Sequence, residues 1–301
     1  MTKKLIILLG PTAVGKTDLS IKIAEHLHTS IVSCDSRQIY KEMNIGTAVP
    51  QEKQLKAVKH YFIQSISAMD YYNSWKFEED ALKLIANLHV DNNFVLMTGG
   101  SMMYIDAVCN GIDDIPTISK EVRSSVMKKY ADEGLESIQA ELEQLDPTFY
   151  NEVDLNNAKR VMHAIEICRE SGTTYSSLRT NSIKARPFDI IKIGLTRDRE
   201  ELYNRINRRV DIMLKDGLEE EARSLYHLRN INSLNTVGYK EFFEYFSGNI
   251  DYDEAVRLIK RNSRRYAKHQ MTWFRKDKDI TWFNPENENE VMSFLQERLN
   301  N

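Results

Sequence analysis

The residues best suited to chemistry lie near the start of the chain, where positions 10–17 have the spacing Gly-x-x-x-x-Gly-Lys-Thr. An apolar run at residues 5–9 precedes them, and a helix-compatible stretch at residues 16–28 follows. A loop between a buried strand and a helix directs backbone N–H groups and the helix dipole at an anion. We predict a loop that binds a diphosphate or triphosphate, with Lys16 as its cation and the Thr17 hydroxyl as a ligand of Mg²⁺. The predicted binding residues are Gly10, Pro11, Thr12, Ala13, Val14, Gly15, Lys16 and Thr17.

A carboxylate, Asp35, follows the second apolar run of the chain, at residues 30–34. In a doubly wound sheet, the carboxyl ends of the strands face the same crevice as the phosphate loop. Asp35 could therefore act as a general base on a group that attacks a phosphate-bearing substrate. It could equally cap the turn that follows it, which aspartate does well.

Further β-branched or apolar runs at residues 61–63 and 94–98 alternate with helical patterns at residues 77–90 and 102–108. This alternation is typical of a parallel α/β sheet. From about residue 119 to residue 179 the pattern is helical throughout, and a strand returns at residues 190–195. We predict a P-loop NTPase-like parallel sheet flanked by helices, with an all-helical insertion. The predicted boundaries are residues 1–116 for the first part of the core, 117–186 for the insertion, and 187–301 for the returning strand and the C-terminal helices.

The composition does not indicate a special class of protein: 42% of the 301 residues are hydrophobic, 28% are charged, and the net charge is −3. Any nucleic acid must therefore meet a local basic patch. The three cysteines, Cys34, Cys109 and Cys168, are widely spaced, which argues against a disulfide framework or a zinc site and fits a reducing cytoplasm. We predict no targeting or membrane-spanning segment.

Two missing motifs narrow the chemistry. The run at residues 94–98 ends in Gly99-Gly100-Ser101, without the acidic residue that holds magnesium in ATPases with a phosphate loop. The sequence also lacks the Asn-Lys-x-Asp motif that reads guanine. Motors driven by hydrolysis and GTP switches are therefore disfavoured.

Several motifs in order along the chain together resemble the tRNA dimethylallyltransferases, also called tRNA isopentenyltransferases. These motifs lie at residues 10–17, 35–40, 44–48, 99–100, 237–241 and 266–275. The resemblance implies transfer of a dimethylallyl group from dimethylallyl diphosphate to N6 of the adenosine at position 37, in tRNAs that read codons starting with U. The products are N6-isopentenyladenosine and diphosphate, and Mg²⁺ is the implied cofactor.

The same resemblance implies roles for individual residues. Asp35 corresponds to the general base, and Lys16, Ser101 and Arg223 to further catalytic residues, with Arg223 on the pyrophosphate. Ser101 and His163 stand where the family usually has threonine and arginine, and the uncharged histidine puts one charge contact in doubt at neutral pH. The implied tRNA contacts are Asp35, Ser36, Arg37, Gln38, Ser101, Arg123, Lys159, Arg160, Val161, Met162, His163, Gly238, Tyr239, Lys240, Lys268, His269, Gln270 and Arg275.

A basic stripe on the C-terminal helix offers a surface for RNA. Its members, at helical spacing, are Arg257, Arg261, Arg264 and Lys268. We expect Val256, Ile259, Tyr266 and Trp273 to mark the opposite face, toward the core. A solvated charged face is the simpler explanation of such a stripe, and the resemblance favours RNA binding instead.

Other functions compete with tRNA prenylation. An AMP or ADP isopentenyltransferase and a small-molecule kinase with a phosphate loop are disfavoured, because a small acceptor needs neither the helical insertion nor the basic helix. A non-catalytic tRNA-binding module is disfavoured by the intact Lys16, Thr17 and Asp35. The expected partners are a tRNA anticodon stem-loop and dimethylallyl diphosphate. We expect a monomer with no membrane contact.

Overall fold

The computed structural model describes residues 2–180 and 182–300, and these form two compact units. Residues up to Cys109 and from Ala185 onward make the first unit, and Asn110–Lys184 makes the second. The second unit therefore begins before the predicted boundary at residue 117 and ends before residue 186. Its two ends are joined by the Lys184 amide, which donates to the Asn110 carbonyl over 2.8 Å, so residues 110–116 belong with the insertion. Asn181, within the predicted insertion, lies outside the described residues.

The first unit is built on a parallel sheet. Its strands are β1 Lys4–Leu9, β2 Ile31–Ser33, β3 His60–Tyr61, β4 Phe94–Gly99, β5 Asp189–Leu195 and β6 Ile280–Phe283. The strand order is β3-β2-β4-β1-β5-β6, with every pairing parallel. All six residues of β1 are buried, as expected for a central strand covered on both faces. The loop after β1 therefore opens at the switch point between β4 and β5, where such sheets bind ligands.

Helices flank this sheet and make up the second unit. They are α1 Lys16–His26, α2 Glu52–Ala57, α3 Ser74–Asp91, α4 Met102–Asn110, α5 Lys120–Leu145, α6 Pro147–Glu152, α7 Ala158–Ser171, α8 Tyr175–Leu178, α9 Arg199–Lys215, α10 Leu218–Ser224, α11 Tyr239–Phe246, α12 Tyr252–Phe274 and α13 Glu288–Asn300. Two short 3₁₀ turns, Tyr226–Leu228 and Asn232–Leu234, lie between α10 and α11. None of the helices in the described ranges combines the length and apolar character of a membrane span.

The predicted parallel sheet and the all-helical insertion are both confirmed. The third strand is shorter than expected because Phe62 and Gln64, just after it, adopt positive φ angles of 60° and 45°. The edge strand β6 was not predicted from the sequence, since it has four residues and is only partly buried. In the second unit, the side chains of α5 and α7 share a hydrophobic core, which includes Val126, Ile138 and Leu142 from α5 and Val161 and Ile165 from α7.

Candidate functional site

A pocket of about 1060 Å³ opens at the carboxyl ends of β1, β2 and β4. Its wall includes Thr12, Ala13, Gly15, Lys16, Thr17, Asp35, Gln38, Gly99, Gly100, Arg205, Arg209, Tyr266 and Gln270. A second cavity of about 320 Å³ shares Thr12, Asp35, Arg209 and Tyr266 with it. The phosphate loop and Asp35, predicted from separate motifs, therefore face one space.

The phosphate loop presents the start of α1 to this pocket. Gly15 precedes the helix at φ +114°, in the left-handed region that favours glycine, and no side chain caps the first turn. The first N–H groups of a helix have no partner within the helix, so an anion can accept hydrogen bonds from them. Ala13, at φ +63°, is a non-glycine residue in the same region, and such strain is common where a loop grips a ligand.

Lys16 lies inside the loop, where its Nζ donates to the carbonyl oxygens of Gly10 and Pro11 at 2.9 and 2.8 Å. Burial, and next the charge of Arg209, lower the pKa of Lys16 from 10.5 to about 8. The positive charge on this lysine is therefore poorly compensated by the protein. A bound anion would relieve that imbalance.

Three arginines that were not predicted as site residues donate hydrogen bonds to the phosphate loop. Arg209 Nη1 donates to the Thr12 hydroxyl at 2.6 Å, and the Nε groups of Arg205 and Arg197 donate to the Ala13 and Val14 carbonyls, each at 2.9 Å. Arg205 and Arg209 are one helical turn apart on α9, which follows β5. Only this one-turn spacing is visible in the sequence, and it does not show which loop the two arginines contact.

Arg223, the expected pyrophosphate ligand, does not line either cavity. It is exposed on α10, where it pairs with Glu219 at 2.7 Å and lies 4.1 Å from the ring centroid of Phe246. Its guanidinium thus belongs to a surface cluster of α10 and α11. The arginines that the fold places beside the phosphate loop are Arg197, Arg205 and Arg209.

Asp35 uses one carboxylate oxygen to cap the turn that follows β2. Its Oδ1 accepts from the backbone amides of Arg37 and Gln38, at 2.9 and 3.2 Å. Its other oxygen, Oδ2, makes no hydrogen bond within the described residues. It is also not a buried atom that lacks a partner, so it is accessible. The turn-capping interpretation is therefore confirmed, and a second oxygen remains open to the pocket for a substrate.

Ser101 joins the ends of β4 and β2. Its Oγ accepts from the Ser36 amide at 2.8 Å and donates to the Ser36 hydroxyl at 3.0 Å. Ser101 is thus committed to protein contacts that fix the segment beside Asp35.

Tyr266 does not face the core as the apolar pattern of α12 predicted. It is 38% exposed and lines both cavities. Partial burial, and next the charge of Asp35, raise the pKa of Tyr266 to about 12. A tyrosine has an apolar ring and a polar tip, so a hydrophobic stripe is a poor guide to the face that it occupies.

Of the implied RNA contacts in the first unit, Lys240, Lys268, His269 and Arg275 are exposed. Arg37 and Gln38 are half-buried, and Gly238 is buried against the smaller cavity. The basic stripe is less uniform than predicted. Arg257 pairs with Glu254 through two contacts of 2.6 Å, while Arg261 and Arg264 are half-buried and donate to Asn262 and Asn207.

Two of these residues are buried and cannot meet RNA through their side chains. Tyr239 is 0% exposed and donates to Glu221 Oε1 at 2.6 Å. Gln270 is 2% exposed, with both polar ends hydrogen-bonded inside the protein. Both face inward because a helix turns neighbouring residues to opposite sides, whatever motif they belong to.

In the second unit, Lys159, Arg160 and His163 are exposed on α7. Val161 is 0% exposed within the α5–α7 core, and Met162 packs partly against that core, so the Val161 side chain is not accessible to RNA. Arg123 Nε lies 3.9 Å from Glu166 Oε1, and the His163 ring nitrogen lies 3.7 Å from the other oxygen of the same carboxylate.

A magnesium ion would need oxygen ligands from a substrate. The described residues contain no group of three or more His, Cys, Asp or Glu side chains that could hold a metal. Thr17 is exposed at the pocket and supplies one hydroxyl. Because Mg²⁺ usually takes one or two protein ligands with phosphate oxygens and water, this donor set fits a metal held mainly by a diphosphate.

Comparison with known proteins gives a consistent result. Residues 38–277 match the protein family described as IPP transferase. The chain is 56% identical over 295 residues to tRNA dimethylallyltransferase 1 of Phocaeicola vulgatus, and 56% identical over 294 residues to the Bacteroides fragilis protein of that name, with 98% of both chains covered in each case. It is also similar to the solved structure of the full-length tRNA isopentenylpyrophosphate transferase from Bacillus halodurans. That likeness has a TM-score of 0.73 at 33% identity, and covers 99% of this chain and 97% of the other.

Proposed function

This chain belongs to the IPP transferase family, and we propose that it transfers a dimethylallyl group from dimethylallyl diphosphate to N6 of adenosine 37 in tRNAs reading codons that start with U. The observation that carries the proposal is one pocket with two chemically different sides. A phosphate loop with Lys16 and Arg209 forms one side, and the open carboxylate oxygen of Asp35 faces the same space.

The cationic side suits the diphosphate of the donor. Free N–H groups at the start of α1, the Lys16 ammonium and the Arg209 guanidinium all act on the oxygens that gain charge when diphosphate leaves. Groups already in place at a developing charge stabilise the transition state without reorganising. We further propose Mg²⁺ at the Thr17 hydroxyl, where it would neutralise part of the diphosphate charge.

The acceptor reacts on the side of Asp35. The N6 lone pair forms a bond to C1 of the dimethylallyl group as the C1–O bond breaks, and diphosphate keeps the bonding electrons. N6 gives up a proton, which Asp35 Oδ2 accepts. Removal of that proton helps because the N6 lone pair is delocalised into the adenine ring, which makes N6 a poor nucleophile. A positioned general base typically increases the rate about 10²–10⁴-fold.

The preference for tRNA rests on surfaces outside the pocket. Exposed cations of the first unit lie in α11, in α12 and at the C-terminal end of α12, at Lys240, Lys268 and Arg275. Those of the second unit lie on α7, at Lys159 and Arg160. AMP or ADP would contact none of these cations, and a small-molecule kinase would not need them. Remote contacts of this kind supply binding energy that orients a large acceptor.

We also propose that the protein works as a monomer in the cytoplasm. Its three cysteines are buried free thiols in the described structure, and a reducing compartment preserves them.

Nucleoside analysis of cellular tRNA tests this function. Bulk tRNA from cells with and without the gene would be digested and analysed by mass spectrometry. We expect N6-isopentenyladenosine, or a nucleoside derived from it, to disappear with the gene and to return when the gene is restored. An unchanged nucleoside profile would exclude the proposed reaction in those cells.

A further inference from the structure

One buried side chain lies between the two sides of the pocket. Gln270, on α12, accepts at Oε1 from the backbone amide of Thr12 over 2.9 Å. Its Nε2 donates to the Gly100 carbonyl over 2.8 Å. The first partner belongs to the phosphate loop, and the second precedes Ser101, which holds the segment beside Asp35 through Ser36. A single amide group therefore joins the donor side to the acceptor side.

The orientation of this amide is fixed by its partners. A backbone N–H requires an acceptor and a carbonyl requires a donor, so the oxygen must face Thr12 and the nitrogen must face Gly100. Only a residue with both functions at this reach satisfies the two groups together. Gln270 is 2% exposed, so water cannot replace a lost contact without rearrangement.

The close approach of Gly100 supports a dedicated contact. A Cβ at Gly100 would collide with Gln270 Nε2. Glycine at this position allows the amide to reach the carbonyl, so the turn after β4 and the helix α12 fit each other. The fit fixes the distance between the phosphate loop and the turn that carries Ser101.

The same helix also faces outward. Tyr266, one turn before Gln270, lines the pocket, whereas the side chains of Lys268 and His269 are exposed. An RNA bound to the exposed face of α12 would contact the same helix that holds Thr12 and Gly100 through Gln270. Two sites that bias one structural element are thermodynamically coupled, and the coupling is reciprocal.

We propose that Gln270 is a positioning residue that couples RNA binding on α12 to diphosphate binding in the phosphate loop. This inference rests on the proposed function, since it requires that RNA contacts α12. It assigns Gln270 an internal role in place of the direct tRNA contact that its motif implied.

The test is a linkage measurement with two probes, inorganic diphosphate and a synthetic anticodon stem-loop RNA. The dissociation constant of diphosphate is measured with and without saturating RNA, and the ratio gives the coupling factor. For the wild-type protein we expect RNA to tighten diphosphate binding on the order of tenfold, within the usual range of coupling between sites. In Gln270→Leu, which removes both hydrogen bonds, we expect the factor to fall below about twofold, with RNA affinity of the free protein kept within about threefold.

Two further variants separate coupling from loss of stability. Lys192→Met removes the ion pair between Lys192 Nζ and Asp277 Oδ2, which are 2.7 Å apart. Both residues belong to the same unit as Gln270, and neither lines a cavity. We expect Lys192→Met to lower the melting temperature and to keep the coupling factor of the wild-type protein. Gln270→Glu keeps an acceptor for Thr12 but places a carboxylate oxygen against the Gly100 carbonyl, so it should lose the coupling also. It serves as the test if the leucine variant does not fold.

The outcomes are distinct. A wild-type coupling factor in the Gln270 variants, or a factor near one in the wild-type protein, would overturn this inference while leaving the transferase function intact. Loss of coupling in Lys192→Met would also overturn this inference, because lower stability alone would then be enough to abolish the coupling. A wild-type protein that binds no RNA would instead contradict the proposed function.

Discussion

Arg209 Nη1 lies 2.6 Å from the Thr12 hydroxyl, although 197 residues separate the two in sequence. This contact brings a second cation to the phosphate loop beside Lys16, and the charge of Arg209 helps to lower the pKa of that lysine. Two cations that repel each other in the described structure would both gain from a bound diphosphate. This contact therefore supports the proposed donor side of the pocket with an observation that is independent of the loop motif.

The first prediction concerns Arg209→Gln. Replacing the guanidinium removes a charge-assisted hydrogen bond, typically about 1.5–3 kcal/mol, so the affinity for inorganic diphosphate should fall about 10- to 150-fold. Titration calorimetry measures the change. Arg223→Gln is the matched control and should bind diphosphate as the wild type does. The reverse pattern would return the pyrophosphate role to Arg223.

A second prediction addresses the base. Asp35→Asn keeps a side-chain oxygen that can accept from the amides of Arg37 and Gln38, so the turn should hold. Single-turnover transfer should fall about 10²–10⁴-fold, with RNA affinity within a few-fold of wild type. Asp18→Asn, an exposed carboxylate at the rim of the same pocket, is the control. Transfer at the wild-type rate by the Asp35 variant would exclude the base role.

The third prediction is a pH dependence set by Lys16. In the free protein its pKa is lowered to about 8, and a bound diphosphate should raise it again. Below pH 8 the lysine is charged in both states, so affinity is highest there. As the pH rises above 8, the free protein loses this proton and binding weakens by up to about tenfold per pH unit until the pKa of the complex is reached.

Diphosphate affinities of the wild type and of Lys16→Met, compared from about pH 7 to about pH 9.5, isolate this effect. The ionisation of diphosphate itself is common to both proteins. The difference between them should shrink as the pH rises. A constant difference would mean that Lys16 keeps its proton throughout and that burial and the charge of Arg209 do not lower its pKa to about 8.

A fourth prediction distinguishes exposed cations from cations that are already paired with a carboxylate. Replacing Lys268 and Arg275 together with alanine should reduce the slope of log affinity against log salt for tRNA by about two, because each phosphate contact contributes about one. Arg257→Ala is the control, since Glu254 already neutralises that guanidinium. Equal effects from the two variants would favour a solvated basic face without a specific RNA site.

The sequence predicted what local patterns determine. The phosphate loop has a fixed spacing between a buried strand and a helix, and Asp35 follows a strand whose carboxyl end must face the same crevice. Arg209 could not be placed in this way, because its contact with Thr12 depends on how α9 packs beside β5. Such a contact between distant residues leaves no short-range pattern in a single sequence.

Motif membership also failed to separate inward from outward residues. Gln270 lies three residues after Ala267 and four before Phe274, both buried, so the helical period placed it on the inner face. Val161 similarly lies four residues before the buried Ile165. Helical periodicity, applied within the motifs themselves, would have predicted that both residues face the core.

The most direct test of the central claim is transfer in vitro with competing acceptors. Purified protein, dimethylallyl diphosphate and Mg²⁺ would be incubated with an unmodified tRNA that reads a codon starting with U, with the same tRNA carrying guanosine at position 37, and with AMP. Digestion and mass spectrometry would then locate the added C₅H₈ group. The account predicts prenylated adenosine from the first tRNA, none from the guanosine variant, and little or none from AMP. Efficient prenylation of AMP, or an unmodified first tRNA, would contradict it.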